Sequence, residues 1–302
     1  MSQTSDAHPS VTLPPWRRRL VGRLARGVVA LLGSNARLRN RVLRGLLDSH
    51  LAPGVLCLVP FDDHALYVDP RDDKVALKLL SGRPWQRREL ETTLGLLRQA
   101  GRLRPDGIFI DVGANIGSQT VYALLSGAFS RAIAIEPDPH NFDILQRNLA
   151  INGLEDRVLA VRAAASATSG TLQLVHHGKN YGAHSVEPSF IDNPAGAVSV
   201  VGTTLDELLQ QYGVTPVQVG LVKIDVEGHE LSVLQGMGSL RGARVPVLME
   251  LNASPKDAER ISAFKALFAP HERMAVNLSD TTPPTTLSQL VWTTPQADLL
   301  VY

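Results

Sequence analysis

This chain of 302 residues has almost no cysteine, and Cys57 is the only one. No disulfide can form within the chain, as is typical of proteins that work in a reducing cytoplasm. Cys57 lies in the apolar run 55–59, which favours a small core residue over a reactive nucleophile. We therefore expect a cytoplasmic protein that is stabilised without covalent cross-links.

Excess charge and long apolar runs are also lacking. The 30 basic and 29 acidic residues leave a net charge of +1, so we expect no nucleic-acid partner. No apolar run approaches the ~20 residues that a membrane-spanning helix needs. A hydrophobic content of 44% with 20% charged residues is typical of a globular protein, and the length fits one α/β domain with an extension.

The segment 7–47 contains no acidic residue and is rich in arginine. Four of its apolar residues fall on one helical face, namely Leu20, Leu24, Val28 and Leu31. A basic amphipathic helix with Trp16 at its edge suits an anionic membrane surface or an acidic partner, and a helical cap on the rest of the chain is the alternative. A signal peptide is disfavoured, because Arg23 and Arg26 interrupt the apolar core. We expect residues 16–50 to form one or two helices, and peripheral contact of residues 16–47 with the inner membrane surface is one of the roles left open.

The chain divides into a basic helical extension at residues 1–50, whose first ~15 residues are predicted to be disordered, and one domain at residues 51–302. Residues 51–106 begin that domain with a small β-hairpin and an amphipathic helix. The hairpin strands are predicted at Leu56–Pro60 and Ala65–Val68, and the helix at 85–100. From residue 107 to residue 302, strands alternate with helices, which indicates a doubly wound, mostly parallel α/β sheet.

The alternating region supplies the sheet and the helices that cover it. Strands are predicted at 108–112, 131–136, 158–162, 219–225 and 245–251, and helices at 117–126, 139–151, 227–237 and 257–269. A capping-box pattern starts a further helix at Thr204, and two antiparallel strands are expected around the loop 281–286. Right-handed crossovers place the loops that follow the parallel strands at one edge of the sheet.

Glycines and carboxylates follow the first two strands of this region. Such an arrangement builds a nucleoside site in an α/β sheet, because glycine lets the backbone approach the ligand and an acid accepts hydrogen bonds from ribose hydroxyls. The predicted cofactor-binding residues are Asp111, Gly113, Asn115, Gly117, Glu136, Pro137 and Asp138. Glu136 is the predicted ribose partner, and Pro137 and Asp138 are predicted to flank the base.

The spacing of the loop residues argues against a dinucleotide. The run from Asp111 to Gly117 lacks the third glycine of G-x-G-x-x-G, and the carboxylate of Asp111 would repel a pyrophosphate. The same carboxylate suits the ammonium group of S-adenosyl-L-methionine, and Asn115 could offer its amide to the methionine carboxylate. A nicotinamide-dependent oxidoreductase is therefore disfavoured, and a βαβ turn whose glycines serve only packing is the remaining alternative.

Five motifs in a fixed order carry a resemblance to a known family. They are Asp111–Gly117, Glu136–Pro139, Asn148–Gly153, Thr204–Asp206 and Lys223–Glu230. Over about residues 55–251, the chain resembles the FkbM family of S-adenosylmethionine-dependent methyltransferases. The resemblance implies a class I, Rossmann-like methyltransferase fold and, usually, O-methylation of a hydroxyl on a sugar or a natural product.

Three residues of the last motif are candidates for catalysis: Asp225, Glu227 and His229. The preceding apolar residues form a strand, so Asp225 should emerge beside the methionine end of the cofactor. Methyl transfer needs the acceptor oxygen in line with the sulfonium and can use a base for the hydroxyl proton. Glu227 and His229 are the candidate bases. The family usually has another residue where this chain has His229, and an exposed position on the first helical turn is the alternative for it.

Oxygen donors at neighbouring strand ends raise the question of a metal. Asp225, Glu227 and Glu250 would suit a hard cation. The sequence has no compact metal motif, however, and sulfonium methyl transfer needs no metal, so we expect none. The polar loop 176–185 is rich in histidine, asparagine and serine, which suits a hydroxylated acceptor, and a surface hairpin is the alternative.

These patterns together predict an S-adenosylmethionine-dependent O-methyltransferase. The expected acceptor is a hydroxylated small molecule or glycan, that is, a sugar, a glycolipid or a secondary metabolite. A non-catalytic binding or scaffold protein with the same fold is the alternative from another functional class, although decay of the enzyme would be expected to disrupt one of the intact motifs.

Overall fold

The computed structural model describes residues 54–253, 257–269, 272–280, 283–293 and 296–302. The predicted basic helical segment at residues 16–50 lies outside the described residues, so its role stays a prediction, as do the domain limits at 50 and 106. Within the described part of the chain, no helix is both long and apolar enough to cross a membrane.

Thirteen strands are found in the described residues, most of them in one large sheet. In chain order they are β1 Cys57–Pro60, β2 Ala65–Val68, β3 Gly107–Val112, β4 Phe129–Ile135, β5 Val158–Val161, β6 Ala164–Ala165, β7 Gly170–His177, β8 Pro194–Thr203, β9 Val219–Ile224, β10 Val247–Asn252, β11 Met274–Asn277, β12 Thr285–Thr286 and β13 Gln296–Val301. The large sheet has eight strands in the order β12-β11-β13-β10-β9-β3-β4-β5. Strands β10, β9, β3, β4 and β5 run parallel, and β13 pairs antiparallel with β10. The prediction of a mostly parallel α/β sheet with an antiparallel C-terminal strand is confirmed.

The helices of the described residues cover this sheet. They are α1 Val75–Leu80, α2 Arg87–Gln99, α3 Ser118–Leu125, α4 Pro139–Ile151, α5 Leu205–Gln211, α6 Glu230–Gln235, α7 Gly238–Gly242 and α8 Ala258–Phe268. Three of them begin at side-chain caps, of which Asp257 at the start of α8 accepts from the backbone N–H of Arg260 at 3.0 Å. The side chain of Asp138 accepts from the backbone N–H of Asn141 at 2.8 Å, and that of Thr204 accepts from Glu207 at 3.0 Å.

Strand β3 shows why the central strands are apolar throughout. All six of its residues are buried. Ile108 and Ile110 face one hydrophobic cluster, whereas Phe109 faces the other, which contains α2 and α3. Because parallel strands of this kind are covered on both faces, alternation of polar and apolar residues is lost. The polar exception in the strand is Asp111.

Three elements differ from the expectation. The helix predicted at 227–237 begins only at Glu230 and ends at Gln235, because Glu227 and Gly228 adopt φ values of 49° and 105°, which are incompatible with a helix. Helix α1 was not predicted. Residues 285–286 form the short strand β12 within the region predicted as a loop, and it pairs with β11.

A smaller sheet lies beside the large one and supplies part of the functional site. Its order is β6-β8-β7, with β7 and β8 antiparallel and β6 parallel to β8. The connection between β7 and β8, residues 178–193, is here called the strap.

Candidate active site

Two clefts open at the carboxyl edge of the parallel strands. The apolar cleft spans about 530 Å³ when the open solvent at its mouth is included, and its walls include Ile135, Glu136, Pro137, Asn141, Ala163, Ala164, Ala165, Leu174, His184, Val186 and His229. The polar cleft spans about 1160 Å³ when open solvent is included, and its walls include Lys74, Trp85, Gln86, Ser118, Gln119, Asn180, Lys223, Glu227, Glu250 and Gln296. Gly113, Asn115, Gly182 and Asp225 line both clefts. The two clefts therefore meet at the loop that follows β3.

Glu136 forms one wall of the apolar cleft and is only 5% exposed. Its Oε2 accepts from the backbone N–H of Asn115 at 2.7 Å, and its Oε1 accepts from that of Asp138 at 2.9 Å. Burial raises the pKa of Glu136 to about 8, although these two amides oppose the shift. Each carboxylate oxygen keeps a second acceptor position, so the fixed side chain can still accept two ligand hydroxyls.

Asn141 was not singled out from the sequence, yet it presents an unused acceptor to the apolar cleft. Its Nδ2 donates to the carbonyl oxygen of Tyr181 at 2.8 Å, whereas its buried Oδ1 has no hydrogen-bond partner in the part of the chain that the structure describes. Buried polar atoms are normally paired, so Oδ1 is suited to a ligand donor. A sequence signal did exist, because Asn141 lies in the first turn of the helix that follows the predicted ribose acid.

Gly113 brings two strand ends into contact at the junction of the clefts. Its φ is 77°, and a Cβ at this position would overlap the carbonyl oxygen of Asp225. The backbone N–H groups of Gly113 and Ala114 both donate to the carbonyl oxygen of Ile135, at 2.9 and 3.0 Å. The loop is therefore rigid, and it leaves no room for a side chain. Gly117 has a φ of 83° and immediately precedes α3.

Asp111 lies elsewhere than expected. The sequence placed it in the loop, in contact with the ammonium group of the ligand, but its side chain is fully buried. Its Oδ2 accepts from the hydroxyl of Thr120 at 2.6 Å, and its Oδ1 is 4.0 Å from Nζ of Lys223. Burial raises its pKa, while Lys223 opposes the shift. Asp111 thus helps to position Lys223, whose side chain lines the polar cleft.

Three carboxylates converge in the polar cleft. One oxygen each from Asp225, Glu227 and Glu250 lies within 4.8 Å of the others, and Nζ of Lys223 is 3.2 Å from Oδ2 of Asp225. Burial and the neighbouring Asp225 raise the pKa of Glu227 to about 8 and that of Glu250 to about 9. These values leave Glu227 and Glu250 protonated near neutral pH, and a positively charged group in the cleft would favour their ionised forms. That no metal is required stays a prediction.

His229 is buried, with 8% exposure, so the exposed surface position considered from the sequence is wrong. Its Nδ1 is 2.7 Å from Oε1 of Glu187, and its Nε2 is 2.9 Å from the hydroxyl of Ser166. Both ring nitrogens are therefore occupied, and the ring lines the apolar cleft. Glu227 lines the polar cleft instead. This arrangement favours Glu227 over His229 as proton acceptor, and the role of each stays a prediction.

The strap holds Glu227 in its strained conformation. The hydroxyl of Ser185 donates to the carbonyl oxygen of Glu227 at 2.7 Å. The ring of Phe190 packs so closely on Gly228 that a Cβ there would lie 2.5 Å from it. The guanidinium of Arg260 lies 5.4 Å from the centre of that ring and donates to the carbonyl oxygen of Gly228 at 2.7 Å. Since a positive φ is costly for glutamate, these contacts are what fixes the carboxylate at the cleft.

A second cluster joins the strap to Asp138. Oδ2 of Asp138 is 2.9 Å from Nε2 of His176, and His184 offers a third potential ligand atom within 4.8 Å of both. Nδ1 of His184 accepts from the backbone N–H of His177 at 3.0 Å, so the proton of a neutral ring is on Nε2. Burial lowers the pKa of His184 to about 4. The ring is therefore a neutral donor toward the apolar cleft, and this tautomer does not suit a metal ligand.

A comparison with models of known protein families shows to which family the chain belongs. The model of the FkbM methyltransferase domain matches residues 111–275, which is more than half of the chain. The chain belongs to the FkbM methyltransferase family. FkbM methyltransferases use S-adenosyl-L-methionine, which is the cofactor of this chain. The resemblance inferred from the five motifs is confirmed.

Relatives with known names are similar over part of their length. The hexuronic acid methyltransferase AglP of Haloferax volcanii is 29% identical over 187 residues, which cover 59% of this chain and 70% of AglP. The 31-O-demethyl-FK506 methyltransferase FkbM of Streptomyces tacrolimicus is 29% identical over 175 residues, covering 50% of this chain and 66% of that enzyme. Among solved structures, TYW2 of M. jannaschii in complex with AdoMet has a TM-score of 0.44 and 9% identity, and the match covers 83% of this chain and 87% of that one.

The residues of this FkbM family member fit the cofactor. Glu136 is held ready to accept ribose hydroxyls, and the unpartnered Oδ1 of Asn141 offers a further acceptor. Three consecutive alanines, 163–165, give a wall smooth enough for a purine. Gly113 leaves the backbone open at the junction, and the three carboxyl groups of the polar cleft can ionise to balance a sulfonium and an ammonium group.

The buried glutamates of this FkbM family member predict a pH-dependent stability. Their pKa values of about 8 for Glu136 and Glu227 and about 9 for Glu250 compare with ~4.3 for an exposed glutamate. At a pH between the pKa of an exposed glutamate and the raised pKa values, the folded state binds more protons than the unfolded state. The free energy of unfolding should therefore fall as the pH rises from about 5 to about 8. Urea unfolding of the ligand-free protein at several pH values measures this slope.

The variant Glu250→Gln should make this fall less steep, because it removes one of the three groups that release a proton on unfolding. The matched control is Glu259→Gln, which changes an exposed glutamate of α8 and should leave the slope unaltered. A stability that stays constant or increases over this pH range would contradict the burial of these carboxyl groups.

Proposed function

We propose that the chain is an O-methyltransferase that methylates a hydroxyl of a sugar or glycan, a glycolipid or a secondary metabolite. The observation that carries the proposal is the position of Glu227, a carboxylate with a raised pKa at the wall of the larger cleft, next to the junction with the cofactor cleft. AglP is named for hexuronic acid, and FkbM for a demethylated oxygen of FK506. Both names support an oxygen acceptor.

The two clefts bind different molecules, the cofactor and the methyl acceptor. The apolar cleft accommodates the adenosine moiety, with Glu136 and Asn141 as its polar partners, and the methionine moiety extends past Gly113 and Asn115 toward the carboxylates. When bound, S-adenosyl-L-methionine supplies an electrophilic methyl group on a sulfonium. The acceptor occupies the polar cleft, where Asn180 and Gln119 offer hydrogen-bonding side chains.

Glu227 accepts the hydroxyl proton as the acceptor oxygen attacks the methyl carbon. Its raised pKa matches this role, because a base works best when its pKa lies near the working pH. Asp225, paired with Lys223, orients the polar groups at the junction. The strap borders the apolar cleft through Tyr181, Gly182 and His184 and the polar cleft through Asn180, Gly182 and Ala183, which helps to exclude water from the reacting atoms.

Binding of S-adenosylhomocysteine tests the cofactor site directly. In thermal unfolding experiments, this product should stabilise the protein, and NAD⁺ and NADPH should not. Glu136→Ala should weaken binding of S-adenosylhomocysteine at least tenfold in calorimetry, because two hydrogen bonds of ~0.5–1.5 kcal/mol each are lost. Glu259→Ala, at an exposed position, is the control. Equal affinities in both variants would show that the ribose partner is misassigned.

A further inference from the structure

Three arginines converge at the edge of the sheet opposite the active site. Arg102 precedes β3, Arg244 precedes β10 and Arg273 precedes β11. Together with Met274 and Tyr302, they line an open cleft that spans about 700 Å³ with the solvent at its mouth, here called the arginine cleft. It lies one strand length from the active site, or about 20 Å for the six residues of β3. Neither methyl transfer nor cofactor binding involves it.

Arg273 is one of the largest fully buried side chains of the described residues. Its Nη2 donates to the carbonyl oxygen of Arg241 at 2.6 Å, and its Nη1 donates to that of Val245 at 3.4 Å. Its buried Nε has no hydrogen-bond partner among the described residues. A guanidinium has five N–H donors, so these two bonds leave most of its donors without an acceptor.

No carboxylate of the described residues forms an ion pair with Arg102, Arg244 or Arg273. Arg102 donates to the carbonyl oxygen of Arg244 at 2.9 Å, and Arg244 donates to that of Glu272 at 3.3 Å. The carboxylate of Glu272, which also lines the cleft, accepts from the backbone N–H of Ser288 at 3.2 Å. Burial and the neighbouring Arg244, Arg102 and Arg241 lower the pKa of Arg273 to about 10. Among the described residues, three guanidinium groups line the cleft with the single carboxylate side chain of Glu272.

Capping of helix α7 accounts for only part of this arrangement. The bond from Arg273 to the carbonyl oxygen of Arg241 satisfies the end of that helix, and its guanidinium lies 5.8 Å from the ring centre of Phe268. Neither contact neutralises the charge, and neither explains why Arg102 and Arg244 converge on the same cleft. A buried charge without an ion-pair partner is strongly destabilising, and an anion in the cleft would supply that partner.

We propose that the arginine cleft binds an oxyanion of the phosphate class, either free phosphate or the phosphate of a lipid headgroup. Guanidinium groups present paired N–H donors that match two phosphate oxygens. Tyr302 and Met274 limit the cleft on the other side. The ligand binds by ion pairing and hydrogen bonding alone, and no bond is made or broken.

Calorimetric titration with inorganic phosphate tests the proposal, at an ionic strength kept constant with sodium chloride. The full-length protein should show saturable binding. The double variant Arg102→Ala/Arg244→Ala should bind at least tenfold more weakly, because both side chains are exposed and can be removed without opening the core. Arg147→Ala, at an exposed position on α4, removes an arginine elsewhere and should change the affinity less than twofold. Arg273→Gln, checked for folding by circular dichroism, should also lose binding.

Vesicles distinguish the two sources of phosphate. The protein and the double variant are pelleted with phosphatidylglycerol vesicles and with neutral phosphatidylcholine vesicles. Saturable phosphate binding that the double variant loses supports a free phosphate site. Pelleting with the anionic vesicles alone, reduced at least fivefold in the double variant, supports a headgroup. If phosphate gives no saturable heat and both proteins pellet equally, or if Arg147→Ala matches the double variant, the proposal is wrong.

Discussion

The variant Glu227→Gln should lower kcat by about 10²–10⁴-fold, which is the range for loss of a general base. The amide has nearly the shape of the carboxylate but cannot take the proton of the acceptor hydroxyl. Because Glu227 lines the polar cleft and not the apolar cleft, the affinity for S-adenosylhomocysteine should change less than about twofold, a limit of ~0.4 kcal/mol. Single-turnover rates together with calorimetry separate the two effects.

The pH profile provides a second readout of the same prediction. The reactive form of Glu227 is the carboxylate, and its pKa is about 8, so the rate of the unaltered enzyme should rise with pH up to about that value. Glu227→Gln should lose this rise, whereas Glu259→Gln should keep it. A normal profile in Glu227→Gln, with the loss found in His229→Gln instead, would contradict the assignment and restore His229 as the base.

The variant Gly113→Ala should destabilise the protein by about 2–5 kcal/mol and abolish cofactor binding. Two costs add: about 1–2 kcal/mol for a left-handed alanine and about 1–3 kcal/mol for overpacking against the Asp225 carbonyl. Since Asp225 lies at the junction of the clefts, the displacement needed to relieve this overlap also distorts the site. Urea unfolding and calorimetry with S-adenosylhomocysteine measure both consequences.

Gly153→Ala is the matched control for the glycine prediction. Gly153 has a φ of 65°, close to the 77° of Gly113, but a Cβ there meets no atom within 4 Å. This variant should therefore show only the conformational cost, about 1–2 kcal/mol, with cofactor binding intact. If the two variants lose equal stability, or if Gly113→Ala still binds the product normally, the close approach of the two loops is not what shapes the site.

The amino-acid sequence alone determined the features that depend on neighbouring residues. Helix α4 occupies the predicted residues 139–151, because Asp138 caps it and Pro139 fits its first turn. The apolar strands that lead into glycines and acids indicated the parallel sheet, the loop at Gly113 and the acid at Glu136. These signals are local in the chain, since capping, backbone conformation and strand burial are set within a few residues.

Only the tertiary structure decided what each polar side chain touches. Ser166 and Glu187, which occupy both nitrogens of His229, are 63 and 42 residues away from it in the chain. The overlap that excludes a side chain at Gly113 comes from the end of another strand. Nothing local indicates such partners, because the crossover of each strand places distant segments side by side. For the same reason the sequence placed Asp111 in contact with the ligand, whereas packing buries it beneath the loop.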